Sequence, residues 1–206
     1  NNMLVSAVIP VYNRSKIIAE VLEAIVNQSR KFDEIIVVDD GSTDDTLDIV
    51  KKFPVKVIQL NHSERIVARN TGASHACSEI IAFIDSDLVL SKDWLKEVLV
   101  GFELGFAAVV DRHQVYEPNT FVAKMNDHFF DIRYPDYKPF SAWVFKKKVL
   151  DEIGGYDEKT PIGSEDAEIA DRLFAAGHKI WFANKAIAWH MGEPRSFREQ
   201  AKRDFW

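Results

Sequence analysis

Two acidic residues, Asp85 and Asp87, directly follow an apolar run at residues 80–84. Such a run is typical of a buried strand, and side chains at positions i and i+2 of a strand point the same way. The two carboxylates can therefore converge at the end of the strand, where they repel each other unless a cation lies between them. Hard oxygen ligands suit Mg²⁺ or Mn²⁺, which bind one or two carboxylates together with the phosphates of a substrate. The segment predicts a metal, a phosphate-bearing ligand and a site at the carboxyl end of a sheet.

The first 110 residues alternate strand-like and helix-like segments that would position this site. Alternation of this kind favours an α/β fold with a mostly parallel central sheet flanked by helices, and ligands bind such sheets at the carboxyl ends of the strands. Tyr12 and Asn13, Asp39, and Asp85 with Asp87 would all lie at that edge. The spacing predicts strands at 4–10, 34–38, 55–60 and 79–84, and helices at 17–27, 43–53, 66–76 and 94–104.

The rest of the chain is less regular. Residues 117–139 are polar, aromatic and interrupted by prolines, which indicates a loop region carrying short helices. We expect 111–192 to complete the same domain as a smaller subregion, and 193–206 to form a C-terminal helical extension, with its helix at 197–206. The other predicted elements are strands at 107–116, 141–145, 179–183 and 186–190, and helices at 147–153 and 164–176.

Composition excludes several classes of protein. The 206 residues carry a net charge of −6, which argues against a general nucleic-acid binder because such a protein needs a basic patch. The single cysteine, Cys77, allows no internal disulfide and fits a reducing compartment. No apolar run is long enough to span a membrane, and the apolar stretch at 3–11 lacks the basic leader of a signal peptide. The charged, aromatic stretch at the end predicts that the natural protein continues past Trp206.

Several short motifs occur in a specific order along the chain. They are Ile9-Pro10-Val11-Tyr12-Asn13, Val37-Val38-Asp39-Asp40-Gly41-Ser42-Thr43-Asp44, Ala68-Arg69-Asn70-Thr71-Gly72, Phe83-Ile84-Asp85-Ser86-Asp87, Gly154-Gly155-Tyr156-Asp157 and Glu165-Asp166. In this order and spacing the chain resembles the family-2 glycosyltransferases, inverting enzymes of the GT-A fold that use nucleotide sugars, over roughly residues 4 to 192. The resemblance implies a single GT-A, Rossmann-like domain in which 1–110 bind the nucleotide sugar and 111–192 form the acceptor and catalytic half.

The resemblance also implies the reaction. It is a metal-dependent, inverting transfer of a sugar from a nucleoside diphosphate sugar to a hydroxyl group, with Mn²⁺ or Mg²⁺ as cofactor. UDP is the expected nucleotide, with GDP and dTDP as alternatives. A glycan, a lipid-linked molecule or a small hydroxyl compound would be the acceptor, and no part of the sequence chooses among them.

The residues assigned to the donor lie in the first half. By resemblance, Pro10, Tyr12 and Asn13 border the base and ribose, although Asn13 can equally form a turn that caps the next helix. Asp39 would accept hydrogen bonds from uracil or from ribose hydroxyls.

Basic and acidic residues further along would bind the diphosphate and the metal. Arg65 or Arg69 would contact the diphosphate, since guanidinium groups pair well with phosphate, and the sequence leaves the choice open. Asp87 would coordinate the ion, and Asp85 would contact the ribose or the metal shell, with Ser86 between them in the nucleotide-sugar site.

The catalytic assignments fall in the second half. An inverting transfer needs a base to take the proton of the attacking hydroxyl, and the resemblance assigns that role to Asp166, with Glu165 orienting the acceptor. The alternative is that both acids compensate the dipole at a helix start. His190 would be a third metal ligand or else a surface histidine, and Trp143 would face the sugar or the acceptor or else belong to the core.

Other interpretations remain at this stage. A sugar nucleotidyltransferase would need a glycine-rich loop after the first strand, whereas the first glycine is Gly41. A receiver-like signalling domain would be shorter, and a non-catalytic nucleotide-sugar-binding module would not need every acid that is present. Residues 193–206 mix basic and aromatic side chains, as in a helix on a membrane surface or a solvated helix that packs by its aromatics. We therefore expect a cytoplasmic protein, either free or in peripheral contact with the inner face of the membrane.

Overall fold

A computed structural model describes residues 3–133, 142–161 and 163–192, together with 196, 198 and 199. Most of residues 193–206, for which a C-terminal helix at 197–206 was predicted, lie outside the described residues. The strands are β1 Val5–Val11, β2 Glu34–Asp39, β3 Lys56–Gln59, β4 Ile80–Phe83, β5 Leu88–Leu90, β6 Ala108–Val115, β7 Trp143–Lys146 and β8 Ile180–His190. The helices are α1 Ile18–Val26, α2 Thr46–Val50, α3 Arg65–His75, α4 Trp94–Glu103, α5 Phe121–Arg133, α6 Lys147–Glu152 and α7 Glu165–Ala175.

The strands form one sheet in the order β3-β2-β1-β4-β7-β6-β8-β5. Strands β1 to β4 pair in parallel, and β6 is parallel to β8. Strand β7 runs antiparallel to both β4 and β6, and β5 runs antiparallel to β8. The ends of β1, β2, β4, β6 and β8 therefore share one edge, which we call the carboxyl edge, and β5 and β7 begin there.

Both faces of the sheet are covered, so its central strands β1 and β4 are buried along their whole length. All seven residues of β1 are buried; Val5, Ala7, Ile9 and Val11 belong to one hydrophobic cluster, and Val8 belongs to the cluster on the other face. Helix α1 packs Ile18, Val21, Leu22 and Ile25 into one cluster. Helix α3 lies against β1 on the other face, where a Cβ on Gly72 would lie 2.3 Å from Val8 Cγ1. The glycine thus allows α3 to approach the sheet closely and fixes the start of α3 near the carboxyl edge.

The predicted fold class is confirmed, with three local differences. Strand β5 was not predicted, because three residues after an acidic turn are too few to show a pattern. Strand β8 is one continuous element of 11 residues, where two short strands were predicted. The proline-interrupted region contains a helix of 13 residues, α5, where short helices were predicted.

Within the part of the chain that the structure describes, no helix is both long enough and apolar enough to cross a bilayer. The division of the domain at residue 110 into a donor half and an acceptor half stays a prediction.

Candidate active site

A cavity of about 410 Å³ opens at the carboxyl edge beside the end of β1. Its lining includes four of the residues predicted to bind the nucleotide sugar, namely Pro10, Tyr12, Arg65 and Ser86. The others that line it are Val11, Arg14, Asp40, His62, Glu64 and Ala68. We call this space the edge cavity. It combines one exposed aromatic ring with cationic side chains, which is the chemistry that a base and a phosphate require.

Asp39 and Asn13 organise the loops around this cavity. Asp39 is 1% exposed, and its Oδ1 accepts a hydrogen bond from the backbone N–H of Ser42 at 3.3 Å. Asn13 has a φ of 50°, and its side-chain oxygen accepts the N–H of Thr43 at 2.8 Å. Asn13 therefore makes a turn, as one interpretation predicted, but the residue that precedes α1 is Ile17 and not Asn13.

His62 is a site residue that the sequence did not single out. Its ring stacks on Tyr12 with centroids 4.3 Å apart, and its Nδ1 lies 3.4 Å from Asp40 Oδ2. The backbone N–H of Ser63 also donates to Asp40, at 2.6 Å. His62 follows β3, so the rule that residues after parallel strands meet at one edge could have identified it.

Arg69 is the buried cation behind the edge cavity. Its side chain is 7% exposed, and its Nη2 donates to Asp85 Oδ1 at 2.5 Å. The Arg69 guanidinium also lies 5.2 Å from the centre of the buried Tyr156 ring. Burial disfavours the ionisation of Asp85, but the charges of Arg69 and Arg65 and the Arg69 hydrogen bond together outweigh it and hold the pKa of that carboxyl below its ordinary value. Asp85 is therefore a carboxylate that is already paired.

Glu165 joins the two arginines of α3. Its side chain is only 3% exposed, and its Oε1 is hydrogen-bonded to Arg65 Nη2 and lies 3.8 Å from Arg69 Nη1. Its Oε2 accepts the backbone N–H of Gly163. These internal partners fit a positioning role better than the predicted contact with an acceptor.

Asp166, the next residue, is exposed in the first turn of α7. Its Oδ1 accepts a hydrogen bond from Trp143 Nε1 at 3.0 Å. Desolvation of the carboxyl group by its neighbours raises the pKa of Asp166 above its ordinary value against the opposing charge of Arg69, and the negative charge of Asp85 raises it further, while the Trp143 hydrogen bond lowers it. A carboxylate with a raised pKa is a stronger proton acceptor, as a general base requires.

Trp143 lies in the core, as one of the two interpretations predicted. It is 3% exposed and stacks on Phe145 with centroids 5.2 Å apart. It pairs with Phe83 at the carboxyl edge, and its indole nitrogen reaches Asp166. Its indole N–H therefore orients Asp166, and its contact with a sugar or an acceptor stays a prediction.

Asp87 and His190 are adjacent across the sheet. Strand β4 ends at Phe83, and the Leu88 N–H closes a turn onto the Asp85 carbonyl, so the side-chain alternation of a strand does not extend to the two acids. Asp87 Oδ1 lies 3.6 Å from His190 Nε2. The Oδ1 atom of Asp87 is buried and accepts no hydrogen bond from any described residue. A buried carboxylate oxygen beside an imidazole suits a divalent cation, particularly Mn²⁺.

Among the described residues, no group of three or more His, Cys, Asp or Glu side chains is arranged as a complete metal site. Asp87 and His190 would thus supply two ligands, and such ions take remaining ligands from substrate phosphates and water.

These features can be compared with known proteins. A model of the proteins described as glycosyl transferase family 2 matches residues 6–156. The chain belongs to this family. The resemblance inferred from the motifs is confirmed, and the chain carries the family's glycosyl transferase domain.

Relatives and solved structures agree with this assignment. Glycosyltransferase AglE of Haloferax volcanii is 27% identical over 218 aligned residues, which cover 98% of this chain and 70% of the relative. Chondroitin synthase of Pasteurella multocida is 27% identical over 242 residues, covering 94% of this chain and 25% of the relative. The mannosyltransferase PcManGT of Pyrobaculum calidifontis, solved with GDP-Man and Mn²⁺, superposes with a TM-score of 0.78 at 22% identity, covering 99% of this chain and 61% of that structure. The GT-A fold is therefore confirmed, and the chain spans only part of each of these proteins.

Proposed function

We propose that the chain transfers a sugar from a nucleoside diphosphate sugar to a hydroxyl acceptor with inversion, and that Asp166 is the general base. The observation that carries this proposal is the placement of Asp166. Its carboxylate is accessible, oriented by Trp143 and raised in pKa, and it shares the carboxyl edge with the edge cavity. A base beside a donor cavity is the arrangement that single-displacement transfer needs, because the hydroxyl attacks from the side opposite the leaving diphosphate.

Each donor group has a candidate partner. The base would stack on Tyr12, and the ribose would lie near Asp39 and Ser86. Arg65 would contact the diphosphate, because its side chain is 43% exposed and lines the edge cavity, whereas Arg69 is buried and paired with Asp85. The choice between the two arginines that the sequence left open therefore falls on Arg65.

Asp87 and His190 would hold the divalent ion. When bound, such an ion supplies Lewis-acid stabilisation of the charge on the departing diphosphate. Arg65 would add a second positive charge on the other side of that group.

The donor nucleotide is either UDP, expected from the family resemblance, or GDP, which is present in the solved Pyrobaculum mannosyltransferase. The proteins that match point to glycan-type acceptors, since one of them is a poly(ribitol-phosphate) N-acetylglucosaminyltransferase and another a chondroitin synthase. Family membership favours glycosyl transfer over nucleotidyl transfer and over binding without catalysis.

A thermal-shift panel tests the proposal directly. We expect UDP-sugars or GDP-sugars to raise the melting temperature in the presence of Mn²⁺ or Mg²⁺, and hydrolysis or transfer to release the nucleoside diphosphate. If no nucleotide sugar stabilised the protein or released a diphosphate with either metal, the proposed function would be wrong.

A further inference from the structure

Arg65 belongs to two environments at once. It lines the edge cavity beside Tyr12 and Ser86, and its Nη2 is hydrogen-bonded to Glu165 at the start of α7. Its guanidinium therefore connects the donor side of the site to the helix that carries Asp166. A diphosphate in the edge cavity would compete with Glu165 for the charge of this guanidinium and for the Nη2 donor.

Glu165 has a second cation within reach. Arg69 Nη1 lies 3.8 Å from Glu165 Oε1, beyond hydrogen-bonding distance, and neither Nη1 nor Nε of Arg69 makes a hydrogen bond to a described residue. Burying guanidinium N–H groups without hydrogen bonds costs free energy. A hydrogen bond from Arg69 to Glu165 would remove part of that cost. The buried carboxylate would thus keep a charged partner if Arg65 moved away, and the large penalty of an unpaired buried charge would be avoided.

We propose that Glu165 is a positioning residue that competes with the donor diphosphate for Arg65, and that donor binding transfers its ion pair to Arg69. The inference rests on the proposed function. Asp166 follows Glu165 directly in α7, so the exchange draws the first turn of α7 towards Arg69 when a diphosphate is present. The position of the base would thereby depend on whether a donor is bound.

Competition makes a specific prediction for the variant Glu165→Gln. A neutral amide holds Arg65 less strongly than a carboxylate, so the variant should bind GDP or UDP, each with Mn²⁺, about fivefold more tightly than the wild type, which is about 1 kcal/mol. Guanosine and uridine carry no phosphate, and their affinities should not change. A merely structural role for Glu165 would instead weaken all of these ligands together.

The double variant Arg65→Met/Glu165→Gln is the matched control. It should bind the diphosphate no more tightly than Arg65→Met alone, because the competed cation is gone. Isothermal titration calorimetry on all four proteins measures these affinities.

Hydrogen exchange on the wild type provides a test that does not depend on the folding of Glu165→Gln. Adding the preferred diphosphate should change amide exchange at 163–168, since the partner of Glu165 changes from Arg65 to Arg69, and the change should be absent in Arg65→Met. If the wild type binds a diphosphate but Glu165→Gln shows no gain and 163–168 exchange unchanged, the inference is overturned and the proposed function stands. If the wild type binds neither diphosphate, both are overturned.

Discussion

Replacing Arg69 with methionine tests whether the buried ion-pair cluster holds the site together. The substitution keeps most of the side-chain volume but removes the charge that faces Asp85 at 2.5 Å and Glu165 at 3.8 Å. At an effective dielectric constant of about 20, the attraction across the shorter contact alone is about 7 kcal/mol. Most of that is offset by the cost of burying the charges, and breaking a buried pair typically costs about 3–5 kcal/mol net. In a chain of this size that corresponds to a fall in melting temperature of about 6–20 °C.

The loss of stability in Arg69→Met should depend on pH. Arg69 holds the pKa of Asp85 below the unfolded value, which is about 4. The ion pair therefore stabilises the wild type above that pH and loses its contribution as the pH falls through the lowered pKa. The difference in melting temperature between wild type and Arg69→Met should be largest near neutral pH and should narrow below about pH 4.

Arg65→Met is the matched control. Arg65 contacts Glu165, which Arg69 also faces, but Arg65 is 43% exposed, so its loss should cost about 1 kcal/mol or less. Differential scanning fluorimetry from pH 3 to pH 8 measures both variants. The reasoning would be refuted if Arg69→Met had the same melting temperature as the wild type at neutral pH, or if the difference in melting temperature were the same at every pH.

Other substitutions test the remaining parts of the site. Asp166→Asn should keep diphosphate binding but lower the rate of transfer by about 100-fold or more in a nucleotide-release assay. Because the fold raises the pKa of Asp166, the melting temperature of this variant should also rise relative to that of the wild type as the pH increases from acid to neutral. Trp143→Phe should lower kcat about tenfold and shift the acid limb of its pH profile upward, since the lost hydrogen bond holds the pKa of Asp166 down. Asp87→Ala should abolish the stabilisation by Mn²⁺ with nucleotide that the wild type shows in a thermal-shift assay. Gly72→Ala should lower the melting temperature by about 2–12 °C, because its Cβ would lie 2.3 Å from Val8 Cγ1 and overpacking costs about 1–3 kcal/mol.

Each of these has a control or a contradicting result. Trp181→Phe removes an indole that packs on Phe106, 5.1 Å away between centroids, and should leave the pH profile of kcat unchanged. Thr71→Ala adds no atoms next to Gly72 and should melt close to the wild type. Full turnover by Asp166→Asn, or metal-dependent stabilisation of Asp87→Ala, would contradict the assigned roles.

Local patterns predicted the elements that are defined by their own sequence. The apolar runs gave β1, β2 and β4 to within about two residues, and their shared direction predicted the edge at which Tyr12 and Asp87 lie. The sequence could not predict strand β5, because its three residues acquire strand geometry only by pairing with β8, far along the chain. Strand β8 was divided because Asn184 and Lys185, exposed within it, interrupt the apolar pattern that the sequence shows.

The sequence predicted which residues belong to the candidate site but not which of them contact one another. The sequence placed Arg69, Asp85 and Glu165 among the functional residues, yet nothing local shows that a buried arginine would pair with both acids. Trp143 shows the same limit, because its role depends on a hydrogen bond to a helix more than twenty positions later. Long-range contacts of this kind follow from the packing of α3, α7 and β7 against one another at the carboxyl edge.

The position of β8 in the sheet has a consequence for the order in which the protein forms. Strand β8 lies between β6 and β5, and β5 has no other partner among the described strands. The Met191 N–H donates to the Asp87 carbonyl, so the turn that carries Asp87 is fixed only after synthesis has passed residue 190. Pairing over long sequence separations is slow compared with local pairing, and we expect β1 to β4 to be structured first. A nascent or shortened chain would then form the proposed base-binding residues before the proposed metal ligands, and Mn²⁺ affinity would report that synthesis has passed residue 191.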